Sequence, residues 1–141
     1  MKNLSLEGSC LCGSIKFRTE GNHRNIINCH CSHCMKTHGH YGAYTKIEEQ
    51  NIKFIKKNNL KWFRSSKRAK RGFCGKCGAS IFFKVLKTKK ISIAAGMFDK
   101  PLKLKTIMNI FTKNKLDYYQ IPNNGLKFNR YPTNTLKNAK R

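Results

Sequence analysis

The residues of this sequence best suited to chemistry are its seven cysteines, which lie in three short clusters. The clusters are Cys10 with Cys12, Cys29 with Cys31 and Cys34, and Cys74 with Cys77. Metal ligands often occur in pairs one or two residues apart, because one turn of the chain can then deliver two sulfurs, whereas a disulfide framework favours an even count. The spacing therefore predicts two zinc sites, one with four thiolates and one with three.

The two outer clusters are predicted to share one structural zinc ion, because their flanking sequences resemble each other. In residues 12–17 and in residues 77–83, the last cysteine is followed by glycine, then by small residues and an apolar strand. Glycine permits the positive φ that turns backbone amides toward the sulfurs. Four thiolates complete the tetrahedral coordination of zinc, so this site would have no open position.

A second pairing stays open on the sequence alone. The middle cluster could pair with Cys74 and Cys77 through its last two cysteines, as an ordinary zinc ribbon. That arrangement would leave Cys10, Cys12 and Cys29 without a role, which is why the first pairing is preferred.

The middle cluster offers three thiolates and leaves one coordination position free. Zinc with three thiolates carries a net charge of about −1, which makes it a weak Lewis acid toward water but suits a soft fourth ligand such as a thiol. Cys29, Cys31 and Cys34 are therefore the predicted catalytic metal ligands. Alternatively, His38 or His40 completes a closed second site, since the histidines between the cysteines are sterically less able to reach the same ion.

Short alternating segments predict the strands that must position these ligands, and the expected fold class is all-β with small antiparallel sheets. No helical period extends beyond two turns. The predicted strands begin near Ile15 and cover residues 41–47, 52–55, 60–64, 81–86, 91–95 and 102–110. The segments 81–86 and 91–95 are expected to form a buried hairpin.

The length of 141 residues predicts one domain. Residues 1–132 are expected to form the zinc-binding β domain, and residues 133–141 a basic, flexible tail. The start of the chain shows no secretory signal and no apolar run approaches about 18 residues, so a cytoplasmic protein without a membrane span is expected. Reduced thiols in the cytoplasm favour metal ligation over disulfides.

The net charge of +24 is the second unusual feature of the sequence. Such a charge would attract nucleic acid, membrane phosphates or acidic small molecules. The basic residues are scattered through every segment with few aromatic residues among them, which favours a solvated surface with weak, sequence-independent nucleic-acid binding. A basic, zinc-containing binding module for nucleic acid or protein is the alternative to an enzyme.

Two basic and two aromatic residues are further candidates for contacts with a substrate. Arg64 and Arg71 are expected to be solvated charges, with binding of a substrate carboxylate as the alternative. Tyr118 and Tyr119 are expected to pack against the last strand, with lining of the substrate pocket as the alternative.

Three segments carry a more specific signal. Residues 8–17 read GSCLCGSIKF, residues 29–34 read CHCSHC, and residues 71–80 read RGFCGKCGAS. Together they resemble the glutathione-dependent formaldehyde-activating enzyme family, which includes centromere-protein-V-like proteins. The resemblance extends over roughly residues 5 to 131. The sequence departs from the family pattern at Met35, where a basic residue is usual, and at Asn109, where histidine is common.

The resemblance implies a β-tent fold with two zinc ions. By position, Cys10, Cys12, Cys74 and Cys77 would bind the structural zinc, and Cys29, Cys31 and Cys34 would bind the catalytic zinc. It also implies a carbon–sulfur lyase, whose named reaction is the condensation of glutathione with formaldehyde to S-hydroxymethylglutathione. The small-molecule partners would then be glutathione or a similar thiol and an aldehyde.

Overall fold

Eleven strands form two sheets within residues 1–99 and 101–132, which are the residues that the computed structural model describes. The all-β prediction is therefore confirmed. The basic tail predicted at residues 133–141 lies outside the described residues. None of the helices in the described part of the chain has the length and apolar composition needed to cross a membrane.

The strands are short, and most of them pair with antiparallel neighbours. They are β1 (Lys2–Ser9), β2 (Ile15–His23), β3 (Ile26–Cys29), β4 (Gly42–Glu48), β5 (Ile52–Lys57), β6 (Leu60–Arg64), β7 (Ala69–Cys74), β8 (Ser80–Val85), β9 (Lys90–Ala94), β10 (Thr106–Ile110) and β11 (Leu126–Lys127). The α-helix among them is α1 (Ser32–His38), and short 3-10 turns lie at Glu49–Asn51, Ala95–Met97 and Thr112–Asn114. The predicted hairpin is confirmed as β8 and β9.

One sheet is small and the other is large. The small sheet has the order β1-β2-β5, and the large sheet has the order β11-β10-β3-β4-β9-β8-β7-β6. The pairs β3–β10 and β10–β11 are parallel, whereas the other strand pairs are antiparallel. The parallel pairing of β3 and β10 places Ile110 beside Cys29, so a late strand supports the start of the middle cysteine cluster.

The main core lies between the two sheets. Phe17 of β2 packs against Phe82 of β8 and against Phe98, with ring centroids 5.4 and 5.7 Å apart. Cys10 and Cys74 belong to the same group of buried residues. The core therefore brings the turn between β1 and β2 next to the turn between β7 and β8, and these turns carry the two outer cysteine clusters.

The predicted strand at residues 102–110 is wrong in its first half, because β10 begins at Thr106. Lys103 has a φ of 58°, which is left-handed backbone that an extended strand does not contain. Of the apolar residues before Thr106, Leu102 packs against the main core without being part of a strand.

The sequence pattern does not predict helix α1. The Cys31 sulfur accepts a hydrogen bond from the Cys34 amide at the start of the helix, and Gly39, with a φ of 74°, ends it. With seven residues, α1 is too short to show a hydrophobic period. The helix is stabilised by these caps and by tertiary packing, which a periodicity argument does not detect.

Candidate metal centres

The cysteines of the two outer clusters meet at one end of the main core, as the first pairing predicts. This four-cysteine cluster consists of Cys10, Cys12, Cys74 and Cys77, whose sulfurs lie within 4.8 Å of one another. The Cys12 sulfur lies 3.6 Å from that of Cys10 and 3.7 Å from that of Cys74. Zinc–sulfur bonds of about 2.3 Å in a tetrahedron give sulfur–sulfur edges of about 3.8 Å. The donor set therefore fits a zinc ion.

The turns that carry this cluster have similar backbones, which explains the glycine in each. Gly13 and Gly78 have φ values of 76° and 78°. Their amides turn back to the carbonyl of the first cysteine in the turn, Gly13 to Cys10 at 3.2 Å and Gly78 to Cys74 at 2.8 Å. A backbone amide also donates to each of these first sulfurs, at 3.4 Å in both turns. The positive φ predicted for the glycines is confirmed.

Ser14 also contacts the four-cysteine cluster, a role that is not predicted from the sequence. Its hydroxyl lies 3.2 Å from the Cys12 sulfur and 3.3 Å from the Cys74 sulfur. The hydrogen bond from Ser14 lowers the pKa of Cys12. Burial would raise the pKa of Cys74, but hydrogen bonds from Ser14 and from the backbone amide of Cys77 lower it to about 6. These bonds favour the thiolate form that binds metal.

The three-cysteine cluster consists of Cys29, Cys31 and Cys34. Cys29 ends β3, Cys31 precedes α1, and Cys34 lies in the first turn of that helix. Their sulfurs lie within 4.8 Å of one another. Hydrogen bonds from Cys29 and then Cys34 lower the pKa of Cys31, and the bonds that Cys29 makes with its two partners, together with burial, raise the pKa of Cys29. The three soft donors fit zinc, as in the first cluster.

The two histidines that follow the three-cysteine cluster in the sequence at positions 38 and 40 bond to tyrosines. His38 Nε2 bonds to the Tyr44 hydroxyl, and His40 Nδ1 bonds to the Tyr118 hydroxyl. Among the described residues, no histidine nitrogen joins the group of ligand atoms that lie within 4.8 Å of one another. The alternative in which His38 or His40 closes the site is therefore not supported.

His30, between the first two ligands of this cluster, holds the loop in place. It is fully buried, and its Nε2–H donates to Asn109 Oδ1 at 2.9 Å while its Nδ1 accepts from the Tyr119 hydroxyl at 2.5 Å. Burial lowers the pKa of His30, which keeps the ring neutral. Asn109, the position where the family commonly has histidine, is thus a partner of the ligand loop.

The rings of Tyr118 and Tyr119, which are predicted to pack against the last strand, contact other aromatic rings. They lie in an irregular segment before β11, and their rings pack against His40 with centroids 5.6 and 4.5 Å away. The Tyr119 hydroxyl also contacts the Met35 sulfur of α1 at 3.8 Å. Together with Tyr41, which packs against Tyr119, they form an aromatic wall beside the three-cysteine cluster.

Arg71 contradicts the prediction of a solvated charge, whereas Arg64 is exposed as predicted. The Arg71 side chain is only 5% exposed. Its guanidinium donates to the Cys34 sulfur at 3.7 Å and to the Tyr44 hydroxyl at 3.2 Å. Nothing in the sequence next to Arg71 distinguishes it from the exposed basic residues.

Comparison with known proteins gives one family and one fold. The family model described as glutathione-dependent formaldehyde-activating enzyme matches residues 5–114. Among solved structures, the crystal structure of a Rhodobacter sphaeroides protein from a structural genomics programme has a TM-score of 0.57 and 18% identity, and the match covers 67% of this chain and 88% of that chain. At this identity the likeness shows the fold alone. A search of curated proteins gives no match.

Proposed function

We propose that this chain, which belongs to the glutathione-dependent formaldehyde-activating enzyme family, forms the carbon–sulfur bond of S-hydroxymethylglutathione or of a related thiol adduct. The reverse reaction would be that of a carbon–sulfur lyase. The observation that supports this proposal is the three-cysteine cluster, which gathers three soft ligands and no histidine among the described residues. Such a donor set leaves one coordination position for a substrate.

The two clusters would have different roles. Cys29, Cys31 and Cys34 would hold the reactive zinc ion, whereas the four-cysteine cluster would hold a structural one. Zinc at the three-cysteine cluster would supply a cation that favours the ionised form of an incoming thiol. The aromatic wall offers ring faces to the organic part of that substrate.

The proposed reaction requires one bond-forming step and no oxidation. The thiol sulfur attacks the carbonyl carbon of the aldehyde, the carbon–sulfur bond forms, and the proton of the thiol ends on the former carbonyl oxygen as a hydroxyl group. The sulfur must be ionised and close to the aldehyde for this step. His30 contributes by orienting the ligand loop through its bonds to Asn109 and Tyr119.

Glutathione should change the visible spectrum of cobalt-substituted protein, and S-methylglutathione should not. Cobalt in a tetrahedral thiolate site absorbs visible light, and a fourth sulfur ligand at the three-cysteine cluster would alter that absorption. S-methylglutathione has the same peptide but no ionisable thiol. The measurement is a titration of the cobalt protein followed by absorption spectroscopy.

The control for this titration is Cys31→Ser, which removes one ligand of the three-cysteine cluster and leaves the other cluster intact. Its spectrum should not respond to glutathione. If saturating glutathione leaves the spectrum of the cobalt protein with the original sequence unchanged, this thiol does not bind at the cluster.

A further inference from the structure

Arg71 is a buried cation to which the described part of the chain supplies no carboxylate partner. Its side chain is 5% exposed, and the ion pairs found among the described residues involve other side chains. Its Nε is buried and has no hydrogen-bond partner among the described residues. A guanidinium stays charged at all ordinary pH values, and an unpaired charge is costly to bury. A counter-charge must therefore lie close to Arg71.

The groups that Arg71 contacts identify this counter-charge. Nη1 donates to the Tyr44 hydroxyl at 3.2 Å and to Thr37 Oγ1 at 3.4 Å, and both partners are neutral groups at neutral pH. Nη2 donates to the Cys34 sulfur at 3.7 Å. Among these partners, the Cys34 sulfur is the atom that carries negative charge when the cluster binds a metal ion.

The guanidinium is also held in a fixed position. It lies over the Phe83 ring, 4.9 Å from the ring centroid. Its Nη1 bonds to residues of α1 and β4, and its Nη2 bonds to Cys34 of α1. Arginine suits such a place because its planar fork can stack on a ring and bond in two directions at once. The contacts with the Phe83 ring, α1 and β4 thus hold the guanidinium of Arg71 beside the Cys34 sulfur.

We propose that Arg71 is the counter-charge of the three-cysteine cluster and that it enables the cluster to accept an anionic fourth ligand. Three thiolates and a divalent cation carry a net charge of about −1, which Arg71 neutralises. A thiolate that binds next then brings the site to about −1, and not to about −2. Arg71 acts through the Cys34 sulfur, so it is a positioning residue. The thiol nature of the ligand rests on the proposed function.

The test compares Arg71→Met with Arg71→Lys and with Arg64→Met, which removes an exposed arginine from the neighbouring strand. Two properties are measured: the zinc affinity of the three-cysteine cluster by chelator competition, and the binding of 2-mercaptoethanol and of imidazole to the cobalt-substituted protein. A charge-assisted hydrogen bond contributes enough that Arg71→Met should weaken zinc binding and 2-mercaptoethanol binding by about 10-fold to 100-fold each. Imidazole is neutral, so its affinity should change by less than about 2-fold.

The variants separate charge from structure. Arg71→Lys should retain part of both affinities because it keeps the charge, and Arg64→Met should retain them fully. If Arg71→Met does not fold, Arg71→Gln replaces it, because glutamine keeps a polar donor without charge. Unchanged zinc affinity would overturn the inference, as would equal weakening of imidazole and 2-mercaptoethanol.

The same experiment distinguishes failure of the inference from failure of the proposed function. If the unsubstituted cobalt protein binds neither glutathione nor 2-mercaptoethanol, the proposed thiol chemistry fails. The zinc affinities would still decide whether Arg71 is the counter-charge, since they do not depend on any thiol substrate.

Discussion

Cys74→Ser is expected to unfold the protein. Cys74 is fully buried in the main core, and its sulfur meets that of Cys12, which lies 62 residues earlier in the chain. Structural zinc binding contributes about 10 to 16 kcal/mol in small zinc domains, which is as large as the net stability of about 5 to 15 kcal/mol of a typical domain. The loss should be seen by circular dichroism together with measurement of the zinc content.

Cys31→Ser is the matched control, and it should leave the protein folded with one zinc ion. The three-cysteine cluster lies within residues 29–34, from the end of β3 to the first turn of α1, so its loss does not separate distant strands. Serine is also a good N-cap, and the substitution therefore preserves the start of the helix. If Cys31→Ser unfolds the protein as completely as Cys74→Ser, both clusters are structural and their proposed division of roles is wrong.

Phe17→Ala is expected to lower the free energy of unfolding by about 3 to 5 kcal/mol. Phe17 is fully buried and joins the small sheet to Phe82 and Phe98. The ring fits closely, because a Cβ added at Gly8 would lie 2.7 Å from its Cζ atom. The cavity left by alanine would therefore lie between the two sheets. Urea denaturation of zinc-saturated protein measures the change.

Phe63→Ala serves as the comparison for Phe17→Ala, because the Phe63 side chain is 60% exposed. Its loss should lower the free energy of unfolding by less than about 0.5 kcal/mol. Similar losses in the two variants would contradict a core located between the sheets.

The local parts of the structure could be predicted from the sequence. The repeated glycine after Cys12 and Cys77 indicates which cysteines share a site, because it reports a backbone requirement of each turn. The alternating pattern gives β6 its bounds and identifies the hairpin of β8 and β9. In both cases the determining residues are close together in the sequence.

The parts that depend on distant contacts could not be predicted. β3 has four residues, and its parallel partner β10 lies about 80 residues later, so alternation alone gives no sign of the pairing. Arg71 is one of 30 basic residues in the sequence. Its burial depends on the contacts of its own side chain with α1 and with Phe83, and the residues next to it in the sequence do not indicate these contacts. The single domain at residues 1–132, the cytoplasmic location and the weak nucleic-acid binding stay predictions.

The most direct test of the central proposal is the rate at which glutathione and formaldehyde exchange with their adduct at equilibrium, measured by two-dimensional exchange NMR. We expect the exchange rate to rise in proportion to the concentration of the protein with two zinc ions. An equal concentration of Cys31→Ser, folded and with one zinc ion, should leave the rate at its uncatalysed value. Exchange that is equally fast with the unsubstituted protein, with Cys31→Ser and without protein would contradict a carbon–sulfur bond-forming role for the three-cysteine cluster.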